Sequence, residues 1–329
     1  MKAAFLLNED NYKKIYSPDT IKKIDECVQI IGRFDQEDLE SIDLSDVKFI
    51  FSGWSGIPIN EKLLERMPNL KVIFYGSGSI KKVQTDAMWD RNVRITSASV
   101  VNAIPVAQYT LSLIQLSLKN FFRLTTKVKK NKQRNIDVFK EVPGFYNKNI
   151  GIISYSKIGQ KLIDYLKNLG HNNIYIYDPF LSDEKANNQG LIKASLEEVF
   201  KKCDVVSLHA PLIPETENMI TKKHFELMKD GATFINTARG KIINHDELIE
   251  VFSKRDDLFA ILDVTDPEPM NEYSKIFEMD NVIISPHIAG SLGDEIFSMG
   301  ELMYEELVSY LDNENLQYEI SKEDFLRMA

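Results

Sequence analysis

Short apolar runs that alternate with helix-like stretches constrain the fold of this 329-residue chain more than any other feature. Four runs occur in the first hundred residues, and six more begin near residue 150. They span residues 3–7, 28–31, 49–52, 72–75, 150–154, 174–177, 205–208, 233–236, 259–263 and 282–285. Because strands that alternate with helices form parallel sheets, the pattern predicts an α/β protein.

The stretches between these runs show the apolar spacing of helices. It is clearest at residues 61–67, 80–89, 157–169, 195–202 and 245–253. Residues 104–119 predict a strongly apolar helix, which we expect to be buried on most of its surface. A last long helix is predicted over residues 291–312, and we infer that it returns the chain to the first domain.

The length of the chain predicts two domains, because it exceeds one core of ordinary size. We predict a discontinuous first domain of residues 1–102 and 290–329. Residues 103–289 are predicted to form the second domain. Each is expected to be a Rossmann-like or flavodoxin-like, doubly wound parallel sheet.

Charge and cysteine content exclude several classes of function. A net charge of -9 argues against a nucleic acid or an anionic membrane as partner. Cys27 and Cys203 offer no disulfide framework and no thiolate metal site, so we predict no metal and a reducing compartment. The first residues predict a strand rather than a signal peptide, and no stretch approaches the roughly 20 apolar residues of a membrane span. Together these points predict a cytoplasmic protein.

An altered dinucleotide fingerprint follows the first strand of the second domain. Ser154, Ser156 and Gly159 form an S-x-S-x-x-G pattern where G-x-G-x-x-G is usual. The motif alone is weak, and a structural turn without a cofactor also fits it. Asp178, however, lies at a strand end 19 residues after Gly159. A carboxylate there can bind both ribose hydroxyls of NAD and would repel the 2′-phosphate of NADP. We therefore predict NAD as the cofactor.

The turn itself is predicted to hold the pyrophosphate. A helix that begins at Lys157 would present its positive N-terminus to the phosphates, with Tyr155 and Ile158 in the same loop. A Cβ at either replaced glycine disfavours left-handed dihedrals by about 1–2 kcal/mol. We predict that the hydroxyl of Ser156 compensates by donating a hydrogen bond to a phosphate.

A guanidinium, a carboxylate and an imidazole follow three successive strands of the second domain. Arg239, Glu268 and His287 occur in the segments NTARG, LDVTDPEP and SPHIAG. Ligands bind at the carboxyl ends of parallel strands, so the three side chains are predicted to converge. Arg239 can bind a carboxylate bidentately and polarise the neighbouring carbonyl. His287 can exchange the proton of a hydroxyl while Glu268 orients the ring. This chemistry suits the interconversion of a 2-hydroxy acid and a 2-keto acid.

Each of the three residues also has a structural interpretation when taken singly. Arg239 could form a surface ion pair, Glu268 could be a solvated loop acid, and His287 could be a hydrogen-bonded histidine at a strand end. Their joint occurrence beyond a nucleotide-binding turn favours the catalytic interpretation.

The whole chain resembles the D-2-hydroxyacid dehydrogenase family. The resemblance rests on the ordered segments DVVSLHAP (residues 204–211), PET (214–216), NTARG, LDVTDPEP and SPHIAG. It implies a discontinuous substrate domain, an NAD domain and a cleft between the two.

The same resemblance implies roles for further residues. Ser77 and Gly78 would receive the substrate carboxylate through their backbone amides, together with Arg239. Asp263 and the backbone of Thr237 and Ala238 would meet the nicotinamide end. Further contacts along the nucleotide are implied for His209, near the ribose, and for Ala210, Pro211 and Thr216.

A homodimer is implied as well, because residues 102–108 resemble the start of the dimer helix of that family. The loop of residues 121–146 would be an arm that packs on the partner subunit. It contains a basic cluster that we interpret as solvated rather than as a binding patch, formed by Lys127, Lys129, Lys130, Lys132 and Arg134.

Two other functions are also compatible with the sequence. The replaced glycines also fit an NAD(H)-sensing regulatory or scaffold protein with weak or lost catalysis. A formate-type or phosphite-type dehydrogenase would use the same scaffold for a different anion. The triad favours the hydroxyacid enzyme over a scaffold, because a scaffold has no need for these three side chains at separate strand ends.

Overall fold

The computed structural model describes residues 1–132 and 137–326. Its described residues divide into two compact units: the first contains Met1–Ala103 and residues 291–326, and the second contains Ile104–Gly290. Arg134 of the predicted basic cluster lies outside the described residues. So do residues 327–329 at the end of the predicted first domain.

The strands fall into two groups along the chain. Those of the first unit are β1 (Lys2–Leu6), β2 (Gln29–Phe34), β3 (Val47–Ser52), β4 (Val72–Tyr75) and β5 (Arg94–Ser97). Those of the second unit are β6 (Ile150–Ile153), β7 (Ile174–Tyr177), β8 (Ile192–Lys193), β9 (Val205–Leu208), β10 (Thr233–Asn236), β11 (Phe259–Leu262) and β12 (Val282–Ile284).

Helices connect these strands. They are α1 (Glu9–Ile15), α2 (Pro18–Cys27), α3 (Glu61–Arg66), α4 (Asp86–Asp90), α5 (Ser99–Leu118), α6 (Phe121–Asn131), α7 (Val138–Glu141), α8 (Lys157–Asn168), α9 (Asp183–Asn188), α10 (Leu196–Lys202), α11 (Lys222–Glu226), α12 (His245–Phe252), α13 (Phe297–Leu311) and α14 (Lys322–Phe325). Short 3-10 helices occupy Asp38–Ser41, Pro214–Thr216, Gly240–Ile242, Lys275–Glu278 and Gly293–Ile296.

Each unit contains one sheet, and all pairs between the named strands are parallel. The first sheet has the order β2-β1-β3-β4-β5, which is the flavodoxin-like order. The second has the order β12-β11-β10-β9-β6-β7-β8, in which β6 lies at the position where the order reverses, as in Rossmann folds. The predicted fold class of two doubly wound parallel sheets is therefore confirmed.

Alternate residues of each strand enter separate hydrophobic cores, which explains why the strands read as continuous apolar runs. In the first unit Ala4 and Leu6 pack in one core, while Ala3 and Phe5 pack in the other. The strands of the second unit alternate in the same way, with Ile153 and Leu208 in one core and Ile150 and Ile152 in the other. Helices therefore cover both faces of each sheet.

The prediction of a loop over residues 121–146 is wrong for its first part, because α6 covers Phe121–Asn131. Phe122 of this helix stacks on Phe259 of β11, with ring centroids 6.0 Å apart. Lys127 pairs with Glu141. Phe121, Leu124 and Val128 have the i, i+3, i+7 spacing of an amphipathic helix, which the interpretation of this lysine-rich segment as a solvated loop overlooked.

Other bounds also differ from the predictions. β5 and the two-residue β8 were not among the predicted strands, and the only helix within residues 80–89 is α4, which begins after the N-cap Thr85. The apolar helix begins earlier than predicted, at Ser99, and contains Pro105. The last long helix is shorter, because a 3-10 turn precedes α13. β5 contains a single apolar residue, Ile95, and β8 is only two residues long and exposed, so neither carries a periodic signal. The bounds of helices are the least distinct part of such patterns.

Within residues 1–132 and 137–326, no helix is long and apolar enough to cross a bilayer. The same residues contain no group of three or more His, Cys, Asp or Glu side chains that could hold a metal ion.

Candidate active site

The strand order of the second sheet brings the predicted catalytic residues to one edge. Strands β10, β11 and β12 are neighbours, and all three are parallel. Arg239 follows β10, Glu268 follows β11 and His287 follows β12. Because parallel strands end at the same edge, the loops that carry these side chains lie side by side.

His287 and Glu268 form a direct pair. The His287 Nδ1 atom lies 2.5 Å from Oε1 of Glu268, and both side chains are about half exposed. The carboxylate therefore engages Nδ1, which leaves Nε2 as the ring nitrogen for proton exchange with a ligand. This is the orienting contact that the sequence predicted between these two residues.

Arg239 is half-buried beside the same carboxylate. Burial lowers the pKa of its guanidinium, and the charge of Glu268 opposes that shift. One guanidinium nitrogen, Nη1, donates to the carbonyl of Ala238 at 2.6 Å. The rest of the planar group can still form charge-assisted hydrogen bonds with an anion.

Gly240 lets the loop of Arg239 approach the loop of Glu268. A Cβ at this position would lie 2.0 Å from the carbonyl oxygen of Thr265 and 2.6 Å from the backbone nitrogen of Asp266. Backbone atoms on the facing loop cannot move aside cheaply, so glycine is required there. The glycine of the NTARG segment thus serves the packing of the two loops that carry Arg239 and Glu268.

Asn236 supports the backbone of the Arg239 loop, a role that was not predicted from the sequence. Its side chain is fully buried at the end of β10. The Oδ1 atom accepts from the amide of Ala238 at 3.0 Å, and Nδ2 donates to the carbonyl of Arg239 at 3.1 Å. A buried asparagine directly after a run of apolar residues was the available signal, because such a side chain needs internal partners.

The two serines that replace glycines in the nucleotide turn have different backbone conformations. Ser154 has a φ of 84°, in the region that favours glycine, whereas Ser156 is extended with a φ of -67°. Ser156 caps α8 by accepting from the amide of Gly159 at 3.3 Å. A Cβ on Gly159 would lie 2.3 Å from the carbonyl oxygen of Ser154. The strain of the altered motif is therefore confined to Ser154, and Gly159 is the glycine that the turn cannot replace.

Asp178 braces the same turn. Its Oδ2 accepts from the amide of Tyr155 at 2.8 Å and from the hydroxyl of Ser154 at 3.3 Å. Its Oδ1 accepts from the amides of Phe180 and Leu181 at 2.8 Å and 3.1 Å. A carboxylate has about four lone-pair sites, so ribose hydroxyls would share oxygens that already accept four hydrogen bonds. The predicted ribose contact stays a prediction.

His209 is a buried imidazole at the end of β9. It is 3% exposed, and burial lowers its pKa to about 3. Nε2 lies 2.9 Å from the hydroxyl of Ser207, while Nδ1 has no hydrogen-bond partner among the described residues. The ring is therefore neutral at physiological pH. Its predicted place near the ribose stays a prediction.

The remaining predicted cofactor residues are engaged within the second unit. The hydroxyl of Thr216 donates to the carbonyl of Pro211 at 2.6 Å. The hydroxyls of Thr237 and Thr110 lie 3.1 Å apart in a buried pair. Ala210 and Ala238 are buried. These contacts shape the loops after β9 and β10, and the predicted roles toward the nucleotide stay predictions.

Ser77 and Gly78 belong to the first unit, in the loop after β4. Ser77 is buried, and its amide donates to the carbonyl of Tyr75 at 2.8 Å. The hydroxyl of Ser97 lies 3.0 Å from the carbonyl of Ser77 and 2.6 Å from that of Gly78. Because the amide of Ser77 is already engaged, Gly78 is the better candidate donor to a carboxylate.

A family model describes the second unit. The NAD binding domain of the D-isomer specific 2-hydroxyacid dehydrogenases matches residues 111–289, more than half of the chain. The chain belongs to this family. NAD is accordingly the cofactor of the matched domain, and the capped N-terminus of α8 behind the Ser154 turn fits a pyrophosphate.

Similar members of the family carry different names. D-3-phosphoglycerate dehydrogenase of Methanocaldococcus jannaschii is 28% identical over 300 residues, which cover 90% of this chain and 56% of that relative. Glyoxylate reductase of Thermococcus litoralis is 28% identical over 262 residues, which cover 78% of each protein. The chain spans about half the length of several D-3-phosphoglycerate dehydrogenases that it matches.

Solved structures of the family share the fold. A phosphoglycerate oxidoreductase from Rhizobium etli has a TM-score of 0.83 at 20% identity, over 98% of both chains. The NAD-complexed D-isomer specific 2-hydroxyacid dehydrogenase of Lactobacillus delbrueckii ssp. bulgaricus has a TM-score of 0.77 at 22% identity, over 98% of this chain and all of that one. At these identities the likeness concerns the fold alone.

Proposed function

We propose that this chain is an NAD-dependent dehydrogenase that interconverts a small 2-hydroxy acid and the corresponding 2-keto acid. The observation that carries the proposal is the 2.5 Å pair of His287 and Glu268 beside Arg239, at the ends of three neighbouring strands. A proton-exchanging ring next to a fixed cation is what the reduction of a carbonyl that neighbours a carboxylate requires.

In the reducing direction, NADH held at the turn after β6 would supply the hydride that reduces the carbonyl carbon. Protonated His287 donates the proton on Nε2 to the carbonyl oxygen, so the carbonyl becomes a hydroxyl. Glu268 stabilises the charged ring through Nδ1 until that transfer. Arg239 binds the carboxylate of the acid and polarises the adjacent carbonyl, and the amide of Gly78 is proposed as a further donor to that carboxylate.

The cofactor contacts are part of the proposal. The turn residues Tyr155, Ser156, Lys157 and Ile158 would surround the pyrophosphate, and the Ser156 hydroxyl can still donate its hydrogen after capping α8. The residues proposed along the rest of the nucleotide are Asp178, His209, Ala210, Pro211, Thr216, Thr237, Ala238 and Asp263.

A screen of 2-keto acids tests this function. We expect NADH to be oxidised with at least one member of a set that contains glyoxylate, hydroxypyruvate, pyruvate and bulkier 2-keto acids. Turnover is followed by the loss of reduced-nicotinamide absorbance, and Arg239→Lys is measured in parallel. The lysine keeps the charge but loses the bidentate geometry, so KM for the keto acid should rise about tenfold or more.

An NAD(H)-sensing scaffold is the second candidate, and the left-handed Ser154 favours it because the Cβ narrows the phosphate turn. The same screen separates the two functions. Tight NADH binding with no turnover of any keto acid would support the scaffold and contradict the dehydrogenase.

We also propose a homodimer in a reducing, cytoplasmic compartment. Large apolar side chains are exposed on the segment of residues 104–146, with Phe139 at 96% and Tyr146 at 86%. A second copy of the chain would cover them. Light scattering coupled to size-exclusion chromatography should return the mass of a dimer, and a monomer at all concentrations would contradict the assembly.

A further inference from the structure

The turn that carries His287 has an unusual backbone. His287 adopts a φ of 55°, in the left-handed region that residues other than glycine seldom occupy. Such a conformation is strained unless surrounding contacts hold it. The contacts that stabilise this turn therefore decide where the imidazole points.

Asp263 supplies most of these contacts from the end of β11. The residue is 2% exposed, and its backbone carbonyl accepts from the amide of His287 at 3.0 Å. Oδ1 accepts from the amide of Ile288 and Oδ2 from the amide of Ala289, both at 2.9 Å. One residue thus binds three successive amides of the catalytic turn.

Ser285 and Tyr109 extend this network to helix α5. The hydroxyl of Ser285 donates to Oδ1 of Asp263 at 2.6 Å, which uses its only hydrogen. It can then act only as an acceptor toward Tyr109, whose hydroxyl lies 2.9 Å away. The direction of the chain is therefore fixed, from Tyr109 to Ser285 to Asp263. Neither Tyr109 nor Ser285 belongs to the residues that we assign to substrate or cofactor.

We propose that Tyr109 and Ser285 are positioning residues that hold the His287 turn through Asp263. The inference rests on the proposed dehydrogenase function. Tyr109 ties the turn to a helix, and Ser285 completes the coordination of the carboxylate that binds the turn amides. Loss of either hydroxyl lets the turn sample conformations in which His287 no longer meets both Glu268 and the substrate.

Kinetics of three variants test the proposal. Tyr109→Phe and Ser285→Ala should each lower kcat about fivefold to tenfold, as expected for the loss of one hydrogen bond. KM for the keto acid and the Kd of NADH should change less than about twofold, because positioning acts on the reacting atoms. Ser285→Thr keeps the hydroxyl and should restore most of the activity. The double variant should be no slower than Ser285→Ala, because both changes break one chain.

Tyr165→Phe is the matched control. Tyr165 is half-buried and packs against the same hydrophobic core as Tyr109, but it belongs to α8. Its loss of a hydroxyl should leave kcat unchanged. Unchanged kcat in both Tyr109→Phe and Ser285→Ala, or losses that multiply in the double variant, would overturn the proposal.

Hydrogen exchange of the backbone amides tests the same hydrogen-bonded link without a measurement of activity. The amides of His287, Ile288 and Ala289 should exchange several times faster in Tyr109→Phe than in Tyr165→Phe, while the rest of the second unit stays protected. Equal exchange in the two variants would overturn the inference even in an active enzyme. If the wild-type protein reduces no keto acid, the proposed function is contradicted. The exchange measurement still tests whether Tyr109 holds the turn.

Discussion

His287 depends on two kinds of contact, one to its ring and one to its backbone. Glu268 engages Nδ1 at 2.5 Å, and Asp263 accepts from the amides of the turn. The first contact orients the ring, and the second places the ring at the strand edge. Changes at the residue scale should separate these effects, because some variants alter the chemistry and others alter the loop geometry.

His287→Ala removes the proton donor and leaves the second sheet intact. We expect kcat to fall about a thousandfold, within the range for loss of a general acid, while the Kd of NADH changes little. Glu268→Gln keeps the volume but loses the charge that stabilises the imidazolium, so its kcat should fall less, by about a hundredfold. Steady-state kinetics and NADH titration measure both. A fully active His287→Ala protein would remove the proton-transfer role.

Gly240→Ala tests the approach of the two catalytic loops. The new Cβ would meet the Thr265 carbonyl at 2.0 Å, so one loop must move. We expect a loss of about 2–3 kcal/mol in the free energy of unfolding, together with lower kcat/KM. Urea unfolding and keto-acid kinetics check the two effects. The exposed neighbour Lys241, changed to alanine, is the control, and equal stability of the two variants would contradict the packing argument.

At the scale of elements, the nucleotide turn shows how a motif can lose glycines and keep its geometry. Ser156 occupies an extended N-cap position that suits serine, so a serine in place of the usual glycine causes no backbone strain there. Ser154 retains the left-handed conformation of the turn despite its Cβ. The hydrogen bonds of Asp178 to the Ser154 hydroxyl and the Tyr155 amide offset part of that cost.

Ser154→Gly should relieve the strain of the turn. We expect relief of the strain to raise the free energy of unfolding by about 1 kcal/mol. The lost hydrogen bond from the Ser154 hydroxyl to Asp178 offsets part of this gain. NADH should bind at least as tightly, because the phosphates meet no Cβ there. Calorimetry and thermal unfolding give both quantities. Ser156→Gly relieves no strain and should bring no gain, so a greater gain there than at Ser154 would contradict this account of the turn.

At the scale of the whole molecule, the two units differ in their response to acid. All five histidines lie in the second unit. Burial lowers the pKa of four of them: His171, His209, His224 and His245. For His209 the value falls to about 3, whereas an unfolded chain binds the proton near pH 6.5. The unfolded state therefore takes up protons between these values, and the second unit loses stability as the pH falls through that window.

This difference predicts an acid-dependent order of unfolding. His209 alone should cost the second unit about 1.4 kcal/mol per pH unit below pH 6.5. Trp54 and Trp89 both lie in the first unit, so their fluorescence reports on it, while far-UV circular dichroism reports on both units. Urea unfolding at falling pH should separate the two signals. A His209→Gln protein should show a shallower pH dependence, and an unchanged slope would contradict the role of this ring.

The sequence alone was sufficient for the features that local patterns encode. Apolar runs alternating with helical spacing determined the two parallel sheets, since burial on both faces demands such runs. Arg239, Glu268 and His287 could be chosen because each follows a strand, and the ends of parallel strands share an edge. The fold prediction is confirmed, and the contact between His287 and Glu268 is present in the structure.

Only the tertiary structure decided the features that depend on residues distant in sequence. Helix α6 packs through Phe122 on Phe259, a partner that its own lysine-rich sequence cannot reveal. Gly240 is required because a loop more than twenty residues later lies against it. Asp263, Ser285 and Tyr109 meet in one hydrogen-bonded chain from three separate elements. Hydrogen-bond direction and close packing are properties of juxtaposed atoms. Composition and spacing could therefore predict candidate catalytic residues, but not the contacts that hold them in place.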